Sequence, residues 1–408
     1  MSGPEQGALP RVLYSFPHPL GRPGIGTTAL WQVRSLVALG VPVTVWTTSL
    51  AVAGDDLGAV HETFRVAGRR VPHRAMGVDR ALHLHDRMVA HHLARHADRY
   101  DVVHCWPSAT LHTAGAARRA GVAVLREVPN THTANAYEVA ERVHRALGVP
   151  FAPDASHRNG ASRLRHELAE YDAVDLLLVP SDHVRDTFLI RGCDPAKLAR
   201  HRYGFDPIRF RPAAGPARTD ASFTALFLGS CEPRKGLHLA LRAWIDSGAA
   251  DVGRLLVCGR FVPGYREYLA PLLAHPSVEV VSPRSDVETL LQQSDVLLLP
   301  SLEEGSALVT YEAQGCGCAL LVSDAAGAVV THGVNGLVHP AGDLAVLTEQ
   351  LRRVATEPVL TAGLRAGALD ASRALSWADA GRRLLDVYLS VASAPRTRQP
   401  AGASGVAG

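Results

Sequence analysis

The stretch Pro300-Ser-Leu-Glu-Glu-Gly-Ser-Ala-Leu-Val-Thr-Tyr-Glu312 decides how this chain is read. Four apolar residues, 296–299, lead into it between Asp295 and Pro300, the mark of a short strand buried in a parallel sheet. After the loop, 308–314 reads as a helix closed by Gly315, and 319–322 as the next strand. Open α/β sheets take ligands at the carboxyl ends of their strands, where this loop falls. The amides of Gly305, Ser306, Ala307 and Leu308 open the helix, and a helix N-terminus favours phosphate or another anion. An ionised carboxylate accepts hydrogen bonds only, so Glu304 and Glu312 suit hydroxyl groups. The local reading is therefore a site for a phosphorylated ligand that carries hydroxyls. A glycosidase acid pair fits less well, because eight residues on one helix set two acids about 12 Å apart along its axis and Glu304 falls before the helix. The plainest alternative makes Glu303 and Glu304 solvated loop acids, and Glu312 an acid near a positive dipole end.

Two further segments follow in order, Gly315-Cys-Gly-Cys-Ala-Leu-Leu-Val-Ser-Asp-Ala-Ala-Gly327 and His332-Gly-Val-Asn-Gly-Leu-Val-His-Pro340. Together with Glu304 to Glu312 this long series resembles the Glu-x7-Glu signature region of retaining glycosyltransferases of the GT-B fold, in particular glycosyltransferase family 4. The resemblance implies an α/β protein of two Rossmann-like domains facing across a cleft, with a C-terminal helix able to cross back to the first domain. It implies transfer of a sugar from a nucleotide-sugar donor to a hydroxyl acceptor, with retention at the anomeric carbon. The acceptors of the family include glycans, lipid-linked sugars and small natural products. The donor is a co-substrate, and no cofactor or metal is expected, in keeping with the lack of an Asp-x-Asp word.

Composition is ordinary for a soluble globular protein. At 408 residues the chain is long enough for two domains with large cores. Its charged fraction of 20% and net charge of +3, with no dense Lys/Arg run, argue against nucleic acid as a partner. The six cysteines, Cys105, Cys193, Cys231, Cys258, Cys316 and Cys318, form no Cys-x-x-Cys pair and no zinc spacing. Several fall in or beside expected buried strands, where a free thiol acts as a small hydrophobe, as in a reduced cytoplasmic protein. No signal-peptide pattern and no run of the ~20 apolar residues needed to span a bilayer is seen, so any membrane contact is expected to be peripheral.

The N-terminal half opens as βαβ: a strand over 11–16, a Gly-rich loop, a helix over 27–39 ended by Gly40, and a strand over 41–47. Gly21, Gly24 and Gly26 miss the Gly-x-Gly-x-x-Gly spacing, and no ribose acid follows. The loop resembles instead the family's turn facing the donor phosphates, which would place Gly24 and Gly26 on the donor side; a plain glycine turn is the alternative. His83, His85, His91, His92 and His96 crowd an amphipathic helix over 80–97. His92 and His96 share a face, but no Glu stands between them and no third ligand is evident, so a solvated, partly charged face is expected rather than a metal site. Strands over 101–106 and 122–128 flank a helix over 108–119. His132 follows the second strand, just before a helix near Ala134. A lone loop histidine is ordinarily surface. The resemblance aligns it with the family's histidine that contacts the donor sugar near the reacting carbon. Arg126 and Glu127, close to it in sequence, are expected to support it from behind. Residues 150–160 are expected to loop over the cleft.

The segment His201-Arg-Tyr-Gly-Phe-Asp-Pro-Ile-Arg-Phe-Arg-Pro212 resembles the family's interdomain segment, and Pro/Gly/Ala-rich 212–220 is the natural linker. A strand over 223–228 then leads to Gly229-Ser-Cys-Glu-Pro-Arg-Lys-Gly-Leu237. Read on residues alone, Arg234-Lys235 is a surface pair. Lys235 at the mouth of a helix is also placed to stabilise the charge of a departing diphosphate. The family carries Gly-Arg-x-x-x-x-Lys-Gly here. Lys235 matches its lysine, but Ser230 stands where the arginine is expected. Either Arg234 supplies that charge, or diphosphate binding is weaker, or the donor differs. Ser306-Ala307 likewise replaces the Phe-Gly of many relatives. Gly259 ends a strand over 255–259, and Arg284 lies in a turn that sits beside the nucleotide base in relatives.

The expected organisation is an unstructured start over 1–9, an acceptor-binding domain over 10–205 and a linker over 206–220. A nucleotide-sugar-binding domain over 221–375, a crossover helix over 376–391 and an unstructured tail over 392–408 complete it. His132, Lys235 and Glu304 are the catalytic candidates. The donor site comprises Gly24, Gly26, Ser230, Arg234, Lys235, Gly259, Arg284, Glu304, Gly305, Ser306, Ala307, Leu308 and Glu312. Two rivals stand beside this reading. A same-fold epimerase or phosphorylase is opposed by the Glu-x7-Glu word. A non-catalytic nucleotide-sugar-binding partner subunit is favoured by Ser230 alone.

Overall fold

The computed structural model describes residues 8–66, 69–70, 77–152, 155, 157–214 and 222–393. The bulk of both chain ends, and the linker from 215 to 221, lie outside the described residues.

The first half begins β1 (Val12–Leu20), α1 (Ile25–Ala38), β2 (Val43–Leu50) and β3 (Ala59–Glu62). A short antiparallel pair, β4 (Arg65–Val66) and β5 (Arg69–Arg70), precedes α2 (Val78–His96). Then come β6 (Val102–Cys105), α3 (Leu111–Ala120), β7 (Ala123–Glu127), α4 (Thr133–Leu147), α5 (Ala161–Ala173), β8 (Leu176–Val179), α6 (Asp182–Ile190) and β9 (Leu198–Arg200). The strands form one parallel sheet in the order β3-β2-β1-β6-β7-β8-β9. Its central strands β6 and β7 are buried at every position, as a sheet covered on both faces requires. β1 extends past its expected end at Phe16, through Pro17 and Pro19. A slip in its register with β2 between Phe16 and Pro19 accommodates the prolines.

The second half repeats the plan with β10 (Phe223–Leu228), α7 (Leu237–Asp246), α8 (Ala249–Val252), β11 (Gly253–Cys258), α9 (Tyr265–Leu273), β12 (Val278–Val281) and α10 (Val287–Gln292). It continues through β13 (Val296–Leu299), α11 (Leu308–Gly315), β14 (Ala319–Ser323), β15 (Gly336–His339), α12 (Leu344–Thr356) and α13 (Pro358–Ser372). The six strands run parallel in the order β12-β11-β10-β13-β14-β15. Strand order reverses beside β1 in one sheet and beside β10 in the other, which leaves a crevice at the carboxyl ends of each. Two Rossmann-like units thus present their ligand-taking edges.

The last helix among the described residues, α14 (Trp377–Ala392), crosses back onto the first unit. Ser376 and Asp379 start it with reciprocal side-chain-to-backbone hydrogen bonds, a capping box. Close approach to α1 depends on Gly381, where an added Cβ would lie 2.5 Å from the Ser35 Cβ. Trp377 stacks on Trp31 with ring centroids 6.4 Å apart, and Leu384, Tyr388 and Val391 enter the core under β1 and β6. The Tyr388 hydroxyl lies 2.6 Å from His104 Nδ1.

Glu127, expected to support His132, spends its carboxylate on other partners. Its fully buried carboxylate accepts from Gln32 at 3.0 Å and from the Tyr203 hydroxyl at 2.9 Å, and it meets His201 Nε2 at 2.9 Å. Burial favours its neutral form, but His201 and His104 hold the carboxyl well below the usual range. Glu127 therefore ties the interdomain segment to the first sheet. Arg126 is buried too, paired with Glu170 at 2.8 Å and with Glu167, its guanidinium 4.7 Å over the Tyr171 ring. Five of the six cysteines are buried and all are free thiols.

Candidate active site

The loop after β13 and the turn after β10 meet at the carboxyl edge of the second sheet. Lys235 ends a single helical turn, 233–235, and its Nζ donates to Glu304 Oε2. Arg234 Nη1 lies 3.6 Å from that same oxygen, 3.2 Å from Glu303 Oε2 and 2.8 Å from the Glu303 carbonyl oxygen, while Nη2 reaches Glu232 at 2.9 Å. Burial pushes the Glu304 carboxyl up, but Lys235 and Arg234 overrule it and hold it at about 2. The site thus presents two cations and three acids in one cluster, of which Arg234, Glu303 and Glu304 are buried. Arg234 is not a free surface cation. It is pinned by carboxylates in the wall of the cluster, and Ser230 is exposed at the mouth of the same turn.

The first unit closes over this cluster. Thr131 Oγ1 donates to Glu303 Oε1 at 2.7 Å, and Ser181 Oγ donates to the Gly305 carbonyl at 2.6 Å. An added Cβ at Gly305 would lie 1.8 Å from the Pro129 carbonyl oxygen, so the two loops touch backbone to backbone. Glu303 is completely buried by these contacts, which corrects the reading of it as a solvated loop acid. His157 reaches in as well, its Nε2 3.8 Å from Glu303 Oε2. His183, on the first turn of α6, is a further cleft residue. Burial lowers its imidazole, opposed by Glu303, Asp324, Asp186 and Glu304. Thr131, His157, Ser181, His183 and Glu303 were all missed in the sequence. Only the proximity of Thr131 to His132 and of Glu303 to Glu304 offered a signal.

His132 caps α4. Its Nδ1 accepts the Ala134 N–H at 3.2 Å, which leaves Nε2 as the protonated nitrogen of the neutral ring. The ring packs 5.0 Å from Phe188 and 5.4 Å from Tyr171, and burial, with help from Arg191, brings its pKa down to about 4. Arg126 supports it at one remove, through Tyr171.

The remaining candidates divide. Ser306 Oγ binds the Tyr311 hydroxyl at 2.9 Å and the Gly327 carbonyl at 3.1 Å, which fixes the turn into α11. The Ala307 N–H is spent on the Ala326 carbonyl at 3.3 Å, so it is not open to a phosphate as expected, whereas Leu308 begins the helix. Glu312 lies one turn into α11, near Arg209 and Glu288. Burial pushes its carboxyl up to about 7, Arg209 opposes and Glu288 adds to the rise. Gly259 lets β10 and β11 end close together, since a Cβ there would meet the Gly229 carbonyl at 1.7 Å. Arg284 is exposed and paired with Asp286. Gly24 caps α1 at φ 94° and Gly26 packs over the Pro19 carbonyl, both at the carboxyl end of β1. Among the described residues no group of His, Cys, Asp and Glu has the arrangement of a metal site, and no helix is long and apolar enough to cross a membrane.

The family model for Glycosyl transferases group 1 matches residues 222–357, the span that holds Lys235, Glu304 and Glu312. A D-inositol 3-phosphate glycosyltransferase of Streptomyces bingchenggensis is 27% identical over 56% of this chain, which spans 55% of that relative's length. One from Kineococcus radiotolerans is 27% identical over 91% of this chain and 92% of its own. Among solved structures, sucrose-phosphate synthase from Thermosynechococcus elongatus superposes with a TM-score of 0.67 at 18% identity, over 94% of this chain and 99% of that one. Anabaena HepE in complex with UDP gives 0.66 at 15% identity, over 93% and 100%. The fold is that of GT-B glycosyltransferases.

Proposed function

We propose, from the match of residues 222–357 to the Glycosyl transferases group 1 model and from the GT-B fold, that the chain transfers a sugar from a nucleoside-diphosphate donor to a hydroxyl acceptor with retention at the anomeric carbon. The observation that carries this reading is the Lys235–Glu304 pair, with Arg234 beside it, at the mouth of α11 and under a lid made by the first unit. In the resting cluster Glu304 occupies Lys235. A diphosphate entering at the amino end of α11 takes over the lysine, and Glu304, held ionised, turns to the sugar hydroxyls. The C–O bond to the diphosphate breaks on the same face that the acceptor oxygen attacks. The acceptor's proton leaves with the departing phosphate oxygen, and Lys235 and Arg234 stabilise the charge that develops there. His132, neutral at ordinary pH, offers its Nε2–H to the sugar. Glu312 accepts from the ribose. Closure of the cleft excludes water, which would otherwise take the acceptor's place. UDP is the first donor nucleotide to test because HepE is described in complex with UDP. A phosphorylated cyclitol is the first acceptor because the relatives carry that name.

The test is transfer from UDP-, GDP- and ADP-sugars, followed by the anomeric proton signal of the product. Lys235→Ala and Glu304→Ala should each cost about 10²–10³ in turnover while leaving the fold intact. Full turnover in both variants sinks the site assignment, and an inverted product sinks retention. The non-catalytic reading rests on exposed Ser230. It predicts that Ser230→Arg raises nucleotide affinity at least about tenfold with no turnover in either form.

A further inference from the structure

The histidine-rich face of α2 is not a solvated surface in the ordinary sense. At the amino ends of the first sheet's strands, opposite the cleft, two adjoining cavities of about 300 and 750 Å³ share a wall made by His92 and His96. The His92 ring lies 4.9 Å from His96, 5.6 Å from His61 on β3 and 5.1 Å from Trp46 on β2, and its Nε2 is 2.8 Å from the Tyr100 hydroxyl. Trp46 stacks on His61 at 4.9 Å, and its indole N–H, shut off from water, has no acceptor among the described residues. From α2, Arg87, His91 and Arg95 face the smaller cavity, and Arg99 lines the larger one. Arg11 lines it too, but Asp101 holds it at 2.8 Å. Among the described residues, no Asp or Glu lines either cavity.

Imidazoles packed this closely beside arginines repel one another as they protonate. Burial, then His96, His61 and Arg99, bring the His92 pKa down to about 4, and burial lowers that of His61. A bound anion reverses that balance, because an opposite charge at this range favours the protonated ring. We propose that this hollow binds a phosphate-type oxyanion between His92, His96, His61 and the arginines around them, with net proton uptake on binding. The anion is a small free phosphate. A lipid headgroup carries the same chemistry, and the experiment separates the two.

Titration calorimetry of the full chain with inorganic phosphate and pyrophosphate, at pH 5.5, 6.5 and 7.5 in two buffers of different ionisation enthalpy, reads both affinity and proton uptake. We expect at least about a tenfold gain in affinity from pH 7.5 to 5.5 with net proton uptake. Both should vanish in His92→Gln/His96→Gln, whose melting temperature and nucleotide binding at the cleft stay as in the parent. That double variant separates this hollow from the diphosphate site, which also takes phosphate. Pelleting with phosphatidylglycerol against phosphatidylcholine vesicles, lost in the same variant, in the absence of phosphate binding moves the ligand to a headgroup and overturns the free-anion assignment. Binding that is unchanged in the double variant, or that proceeds without proton uptake, overturns the proposal.

Discussion

Thr131 Oγ1 lies 2.7 Å from Glu303 Oε1, so a loop of the first sheet hydrogen-bonds a loop of the second across 172 residues of chain. The Thr131 N–H points to the same oxygen at 3.4 Å, and Asn135 Nδ2 donates to the Thr131 hydroxyl at 3.2 Å. The other carboxylate oxygen faces Arg234. Closure and the cation cluster are thus one structure. Thr131→Val removes a donor from a buried acid, a loss of about 1.5–3 kcal/mol for a hydrogen bond to a charged group. Denaturant unfolding should show that loss, and the donor KM should rise as the closed form is less populated. Unchanged stability and KM would mean the contact does not hold the cleft shut.

Gly305→Ala tests the same closure from the backbone. A Cβ there meets the Pro129 carbonyl oxygen at 1.8 Å and its carbon at 2.7 Å, and neither atom belongs to a flexible side chain. The variant should fold as two intact units held apart. Small-angle scattering should give a larger radius of gyration, and turnover should fall by at least about 10² because the reacting groups no longer meet. Parent-level turnover would show that the closed arrangement is not the working one.

Glu312 gives a pH dependence. Its folded pKa of about 7 lies above the usual 4.5, so the folded state keeps a proton that the unfolded state has lost. Stability contributed by this group therefore falls as pH rises from about 4.5 to 7. Under the proposed ribose contact nucleotide binding runs the other way, since ribose hydroxyls would donate to the ionised form. With a pKa near 7, affinity should rise about tenfold between pH 6 and 8. Glu312→Gln should flatten the rise, and the difference between the two profiles cancels the ligand's own titration. Parallel profiles would remove Glu312 from the ribose.

The second half was legible because its chemistry is local. Lys235 and Glu304 each follow a strand within a few residues, and strand, turn and helix can be read from one short window. The cleft was not, because its partners are distant in sequence. Glu303 looked like half of a solvated acidic pair until Thr131 and Arg234 closed on it. His132 aligned with a known position, but its seat between Tyr171 and Phe188 depends on α5 and α6. Arg234 shows the same limit from the other side, since a dipeptide of basic residues carries no mark of the acids that surround it. The role of Ala307 also failed locally, because the Ala326 carbonyl that takes its N–H arrives on a later loop.

The crossing helix supplies the last test. Tyr388 is completely buried in the first unit's core, 284 residues from the His104 nitrogen that its hydroxyl meets. His104 Nε2 in turn lies 3.4 Å from the Glu127 carboxylate, so this tyrosine anchors α14 to the polar knot beside the interdomain segment. Two substitutions separate its contributions. Tyr388→Phe removes only the hydroxyl and should cost about 0.5–1.5 kcal/mol, the net worth of one hydrogen bond. Tyr388→Ala also empties the space under β6 and should cost roughly 3–5 kcal/mol, as for other large aromatic truncations. Denaturant melts of both variants read the difference directly. If the two losses are equal, the energy resides in the hydroxyl and the helix crosses back for the sake of the polar knot. If Tyr388→Phe costs nothing, packing alone holds α14 in place.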